Sequence, residues 1–439
     1  MPVRSLYILA FFWLLLPAPE LIAQDSTFPR WTLVQCIQYA EQHNIALNNF
    51  RLIKQLKEQD QVQAKAAIIP DLYGGASYDF THYSQASSLS KTTVNTTGSW
   101  GLSSKVVLYN GGILKTNIRQ SDLDVKIADL NIAQEKNSLY LNIIEAYTNI
   151  LLSKETINYA KVQLESSQVQ NEQAKIQYNA GAIARKQLIQ LEAQLANDEF
   201  TLTNAQNAER SNKVILKQLL QIPVTDSFDI SDKTAEFALQ LIPSLNEVLE
   251  SAMKFRPEIK SSQLNREMAE LDLKIAKAGY LPSISVGGKL YTGNQNIVNK
   301  NILAQLNDNF YQNIGISASI PIFTKKINAT NVARAKISIT QSDLNQLNTK
   351  TILSQEIEQA YITTNNAYGE YLAAKKQFGY YEEAYKIASE ELRLGATNIT
   401  EFVQQRNLYT QALQAYVQAK YKAMLAYNVL NFYAGKLNN

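Results

Sequence analysis

The sequence predicts a mainly α protein with a small β part: a duplicated unit of long coiled-coil helices plus a β-hairpin. Three observations carry this expectation. The 68 residues from Ile113 to Ala180 contain neither Gly nor Pro. Four segments alternate apolar and polar residues with period two. The same order of landmarks returns 212–214 residues downstream.

Composition narrows the class. The 439 residues hold only 10 Pro and 16 Gly, few punctuators for that length. A net charge of +3 gives no sign of a nucleic-acid or strongly acidic partner. The single Cys36 excludes a disulfide framework and a multi-cysteine metal site. His43 and His82 are far apart and lack a metal-binding spacing. The chain contains no Gly-x-Ser-x-Gly, no His-Glu-x-x-His and no phosphate-binding glycine-rich loop. No cofactor and no enzymatic activity are therefore expected. No segment after the N-terminus approaches the ~20 apolar residues of a membrane-spanning helix.

Arg4 precedes an apolar run over Leu6–Leu16, followed by Pro17, Pro19 and Ala23. This reads as a secretory signal peptide over residues 1–23, with cleavage expected after Ala23. The competing reading is a membrane anchor. No cysteine directly follows the run, which argues against a lipidated N-terminus.

The first repeat spans residues 24–220. Thr32 and Gln35 fit a capping box, and one helix is expected from there to about Ile69, where Pro70 ends it. In Asp71–Tyr83, Leu72, Gly74, Ala76, Tyr78 and Phe80 alternate with Tyr73, Gly75, Ser77, Asp79 and Thr81. In Thr96–Tyr109, Trp100, Leu102, Val106 and Leu108 alternate with Ser99, Gly101, Ser103 and Lys105. Period two gives each segment one apolar and one polar face, and both just exceed the ~9–11 residues that cross a bilayer as a tilted strand. They form a hairpin over about 71–109 around the polar loop Ser84–Asn95.

The rod from Ile113 would be about 100 Å long at 1.5 Å per residue. Gly181 reads as the turn at its tip. On the return helix Leu188, Leu195, Leu202 and Leu216 fall at heptad multiples, with Leu191, Ala205 and Leu219 on the neighbouring seam, the a/d pattern of a coiled coil. The helical hairpin covers about 113–220. Residues 221–243, with Pro223 and Pro243, form a connector.

The second repeat spans 244–439. Ser244 and Glu247 form a second capping box. Leu33 matches Leu245, Ala40 matches Ala252, and the run ending at Pro70 matches the run ending at Pro282, all at an offset of 212. A second β-hairpin is expected at about 282–323. Leu108-Tyr109 matches Ile322-Phe323, and Gly181 matches Gly395, at an offset of 214. A second helical hairpin follows over about 325–435. Its outgoing rod contains Gly369 and Gly379, and its return helix carries Phe402, Tyr409, Tyr416 and Leu430 at heptad multiples, which read as core. Several landmarks at a near-constant offset mark a duplication.

One chain thus offers four strands. An outer-membrane barrel needs at least eight, and open strands in lipid leave unpaired groups that each cost several kcal/mol. Either the strands are soluble or several chains share one barrel: two copies give eight strands, three give twelve.

The order helix, Pro, hairpin, long helix, Gly turn, return helix, twice over, resembles the TolC-type outer membrane efflux proteins across essentially the whole mature chain. Tyr178-Asn179-Ala180-Gly181-Ala182 and Leu392-Arg393-Leu394-Gly395-Ala396-Thr397-Asn398-Ile399-Thr400-Glu401-Phe402 resemble that family's glycine-centred periplasmic tips. The resemblance implies a homotrimer with a shared 12-strand outer-membrane β-barrel and a 12-helix periplasmic tunnel. It implies the exit duct of a tripartite efflux or type I secretion system in the outer membrane, with a long periplasmic extension. Implied partners are outer-membrane lipid, a periplasmic adaptor protein docking at Tyr178, Gly181, Ala182, Gly395 and Ala396, and an inner-membrane pump of RND or ABC type.

The resemblance also implies a gate at the tips. Glu401 matches an acidic gate position; three copies near one axis would form a negative ring. Gln404 stands where a second acid can occur. The family's tying Tyr, Arg and Asp correspond to Leu392, Thr397 and Gln187, none of which can make an ionic or phenolic tie, so closure is expected to be weaker or held differently. A solvated face of the return helix is the competing reading for Glu401, and an ordinary left-handed turn residue the competing reading for Gly181 and Gly395. Trp100, Tyr73, Tyr78, Tyr83 and Tyr291 read either as interfacial aromatics or as packing. The alternative for the whole chain is a periplasmic adaptor (membrane fusion) protein, which would need one hairpin rather than a duplicated unit with strands beside each rod.

Overall fold

A computed structural model describes residues 30–83, 94–231, 242–296, 298 and 300–436. The signal-peptide assignment lies outside the described residues, as does most of the loop after Tyr83.

The first repeat runs α1 (Leu33–His43), α2 (Ile45–Ala66), β1 (Tyr73–His82), β2 (Val94–Asn110), α3 (Ile113–Asn179) and α4 (Arg185–Leu220). The second runs α5 (Leu245–Phe255), α6 (Pro257–Ala278), β3 (Ser283–Gln295), α7 (Ile302–Asp308), β4 (Tyr311–Ser319), α8 (Ile327–Arg393) and α9 (Ile399–Tyr433). Helices α1 and α5 have 11 residues each, α2 and α6 have 22, and α3 and α8 have 67.

The duplication extends to side chains. Lys54 on α2 pairs with Asp129 on α3 at 2.7 Å, and Arg266 on α6 pairs with Asp343 on α8 at 2.6 Å. The second pair lies at offsets of 212 and 214 from the first.

One expectation needs correction. The first helix does not run unbroken to Ile69. Asn44 ends α1 in an extended conformation and caps α2, its side chain accepting from Leu47 N–H. Its amide also donates to Leu219 O at the end of α4. The break therefore lets α4 and α2 stack end to end beside α3. In the second β-hairpin β3 and β4 pair as expected, and α7 sits between them, capped by Asn301, with Gln305 accepting from Gln295 N–H at 2.8 Å. A seven-residue helix is too short to show a periodicity in sequence.

Trp31 forms a parallel bridge with Ile230 of the connector, and Tyr147 near the middle of α3 donates to Ser231 O at 3.1 Å. The described start of the connector, up to Ser231, thus packs against α3 near its midpoint. Here lies the main apolar core: Cys36, Ala40, Leu47, Ile143, Ile150, Leu216, Leu220 and Ile230. A smaller counterpart in the second repeat holds Val248, Ala252, Ile259, Leu353, Ile357 and Leu430.

Candidate functional site

The strands form one antiparallel sheet in the order β1-β2-β3-β4. Its register pairs Ala76 with Trp100, Leu102 with Leu290, and Val286 with Ile316. Paired residues point to the same face, so the apolar sets of all four strands coincide. Ala76, Tyr78, Phe80, Trp100, Leu102, Val106, Val286, Leu290, Ile314 and Ile316 form one face. Ser77, Asp79, Ser99, Ser103, Lys105 and Lys289 stand on the other. Every residue of β1 and β4 is exposed, because these are the edge strands. Tyr73, Tyr78 and Tyr83 are exposed, Trp100 and Tyr291 half-buried, and Tyr291 contacts Tyr311 at 5.2 Å between ring centres.

At the far end of the rods, Gly181 and Gly395 have φ of +74° and +72°. Each closes its helix by two backbone bonds: Gly181 N–H to Tyr178 O with Ala182 N–H to Gln177 O, and Gly395 N–H to Leu392 O with Ala396 N–H to Glu391 O. These left-handed turns satisfy carbonyls that the helix ends would otherwise leave free. A Cβ added at either glycine would meet no atom within 4 Å. Ala182 and Ala396 are exposed as well.

The two tips pack on one another. Ala174, Leu188, Leu191 and Ile399 form a small core flanked by Tyr178, Ile183, Leu392 and Val403. Tyr178 therefore belongs partly to packing. Leu392, at an expected tying position, joins the tips by apolar contact. Gln187 turns back to accept from Ala184 N–H at 3.0 Å, starting α4. Thr397 donates to the Glu401 carboxylate at 2.9 Å, while Glu401 N–H donates to Asn398 Oδ1 at 2.9 Å. Glu401 and Gln404 are exposed. A groove of about 990 Å³ runs between the tips, lined by Gln173, Gln177, Gln187, Arg393, Thr397 and Phe402 among others.

A buried ion pair joins the two helical hairpins further from the tips. Arg406 on α9 and Asp198 on α4 are 1% and 5% exposed. Arg406 Nη2 donates to Asp198 Oδ2 at 2.6 Å, to Ser167 Oγ at 2.6 Å and to Gln163 O at 2.9 Å. Ser167 also donates to Asp198, and Gln194 Nε2 donates to Asp198 Oδ1 at 3.0 Å. One side chain of the second hairpin thus grips both helices of the first. Further from the tip, Lys420 on α9 pairs with Glu155 on α3 at 2.8 Å. Within the second hairpin, Tyr371, Phe378 and Tyr385 on α8 stack against Phe402, Tyr409 and Tyr416 on α9 at centroid distances of 4.8–5.9 Å. The heptad aromatics of the return helix are core.

A charged cluster holds the same start of the connector. Asp229 pairs with Lys154 at 2.8 Å and Lys213 at 3.0 Å. Burial pushes its carboxyl up, but the hydrogen bonds and charges of the two lysines outweigh burial and hold it below the usual carboxylate range. Burial pushes the Cys36 thiol up to about 12. Among the described residues no group of three or more His, Cys, Asp or Glu is placed to hold a metal ion, and no helix is long and apolar enough to cross a membrane.

The profile of the outer membrane efflux protein family matches residues 36–220 and 248–436. The chain is similar to the outer membrane efflux protein BepC of Brucella suis, with 21% identity over 401 residues, 91% of this chain and 84% of the relative. Its fold resembles that of CusC, from a study of folding and transmembrane channel formation, with a TM-score of 0.79, 18% identity, and 92% and 91% of the two chains covered. It equally resembles the Campylobacter jejuni CmeC outer membrane channel, with a TM-score of 0.79, 20% identity, and coverage of 92% and 86%. These matches favour an outer-membrane duct over a periplasmic adaptor.

Proposed function

The chain belongs to the outer membrane efflux protein family, and from that premise we propose that three copies form one passive exit duct. It is an outer-membrane channel protein with a long periplasmic extension. The observation that supports the assembly is the sheet: four strands, one apolar face and two exposed edges, fused to helices about 100 Å long. Four strands do not close on themselves, and β4 of one copy runs antiparallel to β1 of the next, so identical copies close head to tail. Three copies give twelve strands, with the apolar face toward lipid and the polar face toward the lumen. The rods then line a periplasmic tunnel.

In this reading the tips dock onto a periplasmic adaptor that joins an inner-membrane pump, and the pump supplies the energy. Gly181, Ala182, Gly395 and Ala396 suit docking because the turns expose backbone with no side chain in the way. Glu401 forms the acidic ring of the constriction, and the chain performs no catalysis. The Arg406–Asp198 clasp holds the second hairpin against the first in the resting state, taking the place of a tie at Leu392, Thr397 and Gln187.

Reconstitution in planar bilayers tests this. Discrete single-channel currents are expected from the purified protein. A protein that inserts and gives none would overturn the duct.

A further inference from the structure

Helix α7 is inside out for a helix facing water. Its buried side chain is the polar Gln305, 3% exposed, while Leu303 is 78% exposed, Ile302 54% and Phe310, just beyond the helix, 55%. A surface helix of a globular protein turns its apolar stripe toward the core and its polar residues outward. We propose that α7 is an interfacial anchor seated in the outer leaflet of the membrane, with Ile302, Leu303 and Phe310 among the lipid acyl chains. The inference rests on the apolar sheet face being the lipid-facing one, as proposed above, and adds to it a second element that holds lipid.

The strand pairing fixes the side of the sheet that α7 covers. Thr292 pairs with Trp100 and Asn294 with Gly98, in register with Leu290 opposite Leu102. Thr292 and Asn294 therefore extend the apolar face, not the polar face of Lys105 and Lys289. Thr292 Oγ1 donates to Leu306 O at 2.5 Å, which brings α7 onto the apolar face. Asn294 on the same face is buried. On the adjoining strand β4, Ile314 and Ile316 of that face are 84% and 75% exposed, and Phe310 directly precedes β4. Since α6 feeds β3 and β4 leads into α8, the connection that holds α7 lies at the end of the sheet away from the rods. The exposed apolar residues of α7 thus continue the apolar band of the sheet at its outer end.

The polar groups of the segment are turned inward and used. Gln305 Oε1 accepts from Gln295 N–H at 2.8 Å, and its Nε2 donates to Lys300 O at 2.8 Å. Asn309 Nδ2 donates to Gly293 O at 2.7 Å, and Asn301 Oδ1 accepts from Ala304 N–H at 2.7 Å. Backbone groups at the end of β3 and around α7 find partners in the protein, as a segment touching acyl chains requires. Residues 298–310 contain two charged residues, Lys300 and Asp308, and these pair at 2.6 Å. The segment therefore brings no uncompensated charge to the membrane surface. At seven residues α7 is too short to cross a bilayer; a helix with one apolar face lies in the interface plane instead.

Fluorescence quenching of the full-length protein in phosphatidylcholine vesicles tests the seat. Bimane attached at Leu303→Cys should lose fluorescence when the vesicles contain lipid with a nitroxide near the headgroup, and lose less when the nitroxide stands near the chain end. Ile314→Cys, midway along the sheet, should show the reverse order. Lys289→Cys, on the polar face, should respond to neither lipid and should be quenched by soluble iodide, which should spare Leu303→Cys. Leu303 makes none of the hydrogen bonds that hold α7, and Ile302→Cys gives a second reading of the same face. Cys36 is buried and does not compete for the label in the folded protein. Quenching of Leu303→Cys by iodide and not by lipid would place α7 in water, and quenching by neither would place it under protein. Either result, with Ile314→Cys still quenched by lipid, overturns the anchor and leaves the barrel. Loss of lipid quenching at Ile314→Cys overturns the barrel reading itself, and the anchor with it.

Discussion

Arg406 of the last helix and Asp198 of the first return helix, both buried, share a hydrogen bond of 2.6 Å. The pair lies where two heptad seams would place apolar side chains. Asp198 stands seven residues after Leu191 and seven before Ala205, and Arg406 stands seven after Ile399. A buried ion pair contributes little net stability compared with a well-packed apolar pair, but removing one partner leaves an uncompensated charge.

Asp198→Asn or Arg406→Leu alone should therefore destabilise the assembled protein by about 3–5 kcal/mol, whereas Arg406→Leu/Asp198→Leu should recover most of that loss. Thermal unfolding of the detergent-solubilised protein measures both. If the clasp also restrains the second hairpin, all three variants should show a higher resting conductance in planar bilayers, including the double variant of restored stability.

The acidic ring predicts a change in selectivity. Glu401→Gln should lower the preference of the pore for cations, since three carboxylates near one axis are replaced by neutral amides. Reversal potentials under a salt gradient measure this. Unchanged selectivity would place Glu401 on a solvated outer face.

The connector cluster predicts a dependence on acid. Asp229 is held below its ordinary value by Lys154 and Lys213 despite burial. A carboxyl depressed on folding adds stability that is present above its unfolded value near 3.9 and lost as pH falls through its folded value. Thermal stability of the native protein should therefore fall more steeply below about pH 4 than that of Asp229→Asn. Parallel curves for the two proteins would remove Asp229 from the acid response.

The tip glycines predict a local effect. With φ of +74° and +72° and open space around them, Gly181→Ala and Gly395→Ala meet backbone strain rather than a clash, at about 1–2 kcal/mol each. Hydrogen exchange should speed up within a turn or two of the tip and stay unchanged at the midpoint core.

Cys36 predicts inertness. Its thiol is fully buried and pushed up to about 12, so maleimide at pH 8 should label it only after denaturation.

Much of this architecture is legible in the sequence because its signals are long. A rod without Gly or Pro over Ile113–Ala180 becomes a helix over Ile113–Asn179. Period-two alternation locates all four strands. The break at Asn44 is not legible because an Asn inside an apolar-periodic stretch carries no unambiguous stop signal, and its partner Leu219 is 175 residues away. At the tips, Gly181 and Gly395 are evident from φ-permissive residues ending long helices. The Arg406–Asp198 clasp was hidden in a different way. Each residue interrupts its own apolar seam, a signal present in the sequence, but a charge on a long helix ordinarily faces solvent. Only the packing of α9 against α3 and α4 shows that both point inward.

The measurement closest to the central claim is the native mass of the protein extracted from outer membranes in detergent. The account predicts three chains per particle, twelve strands sharing one barrel. A particle of one chain would leave β1 and β4 with nothing to close on and would contradict it.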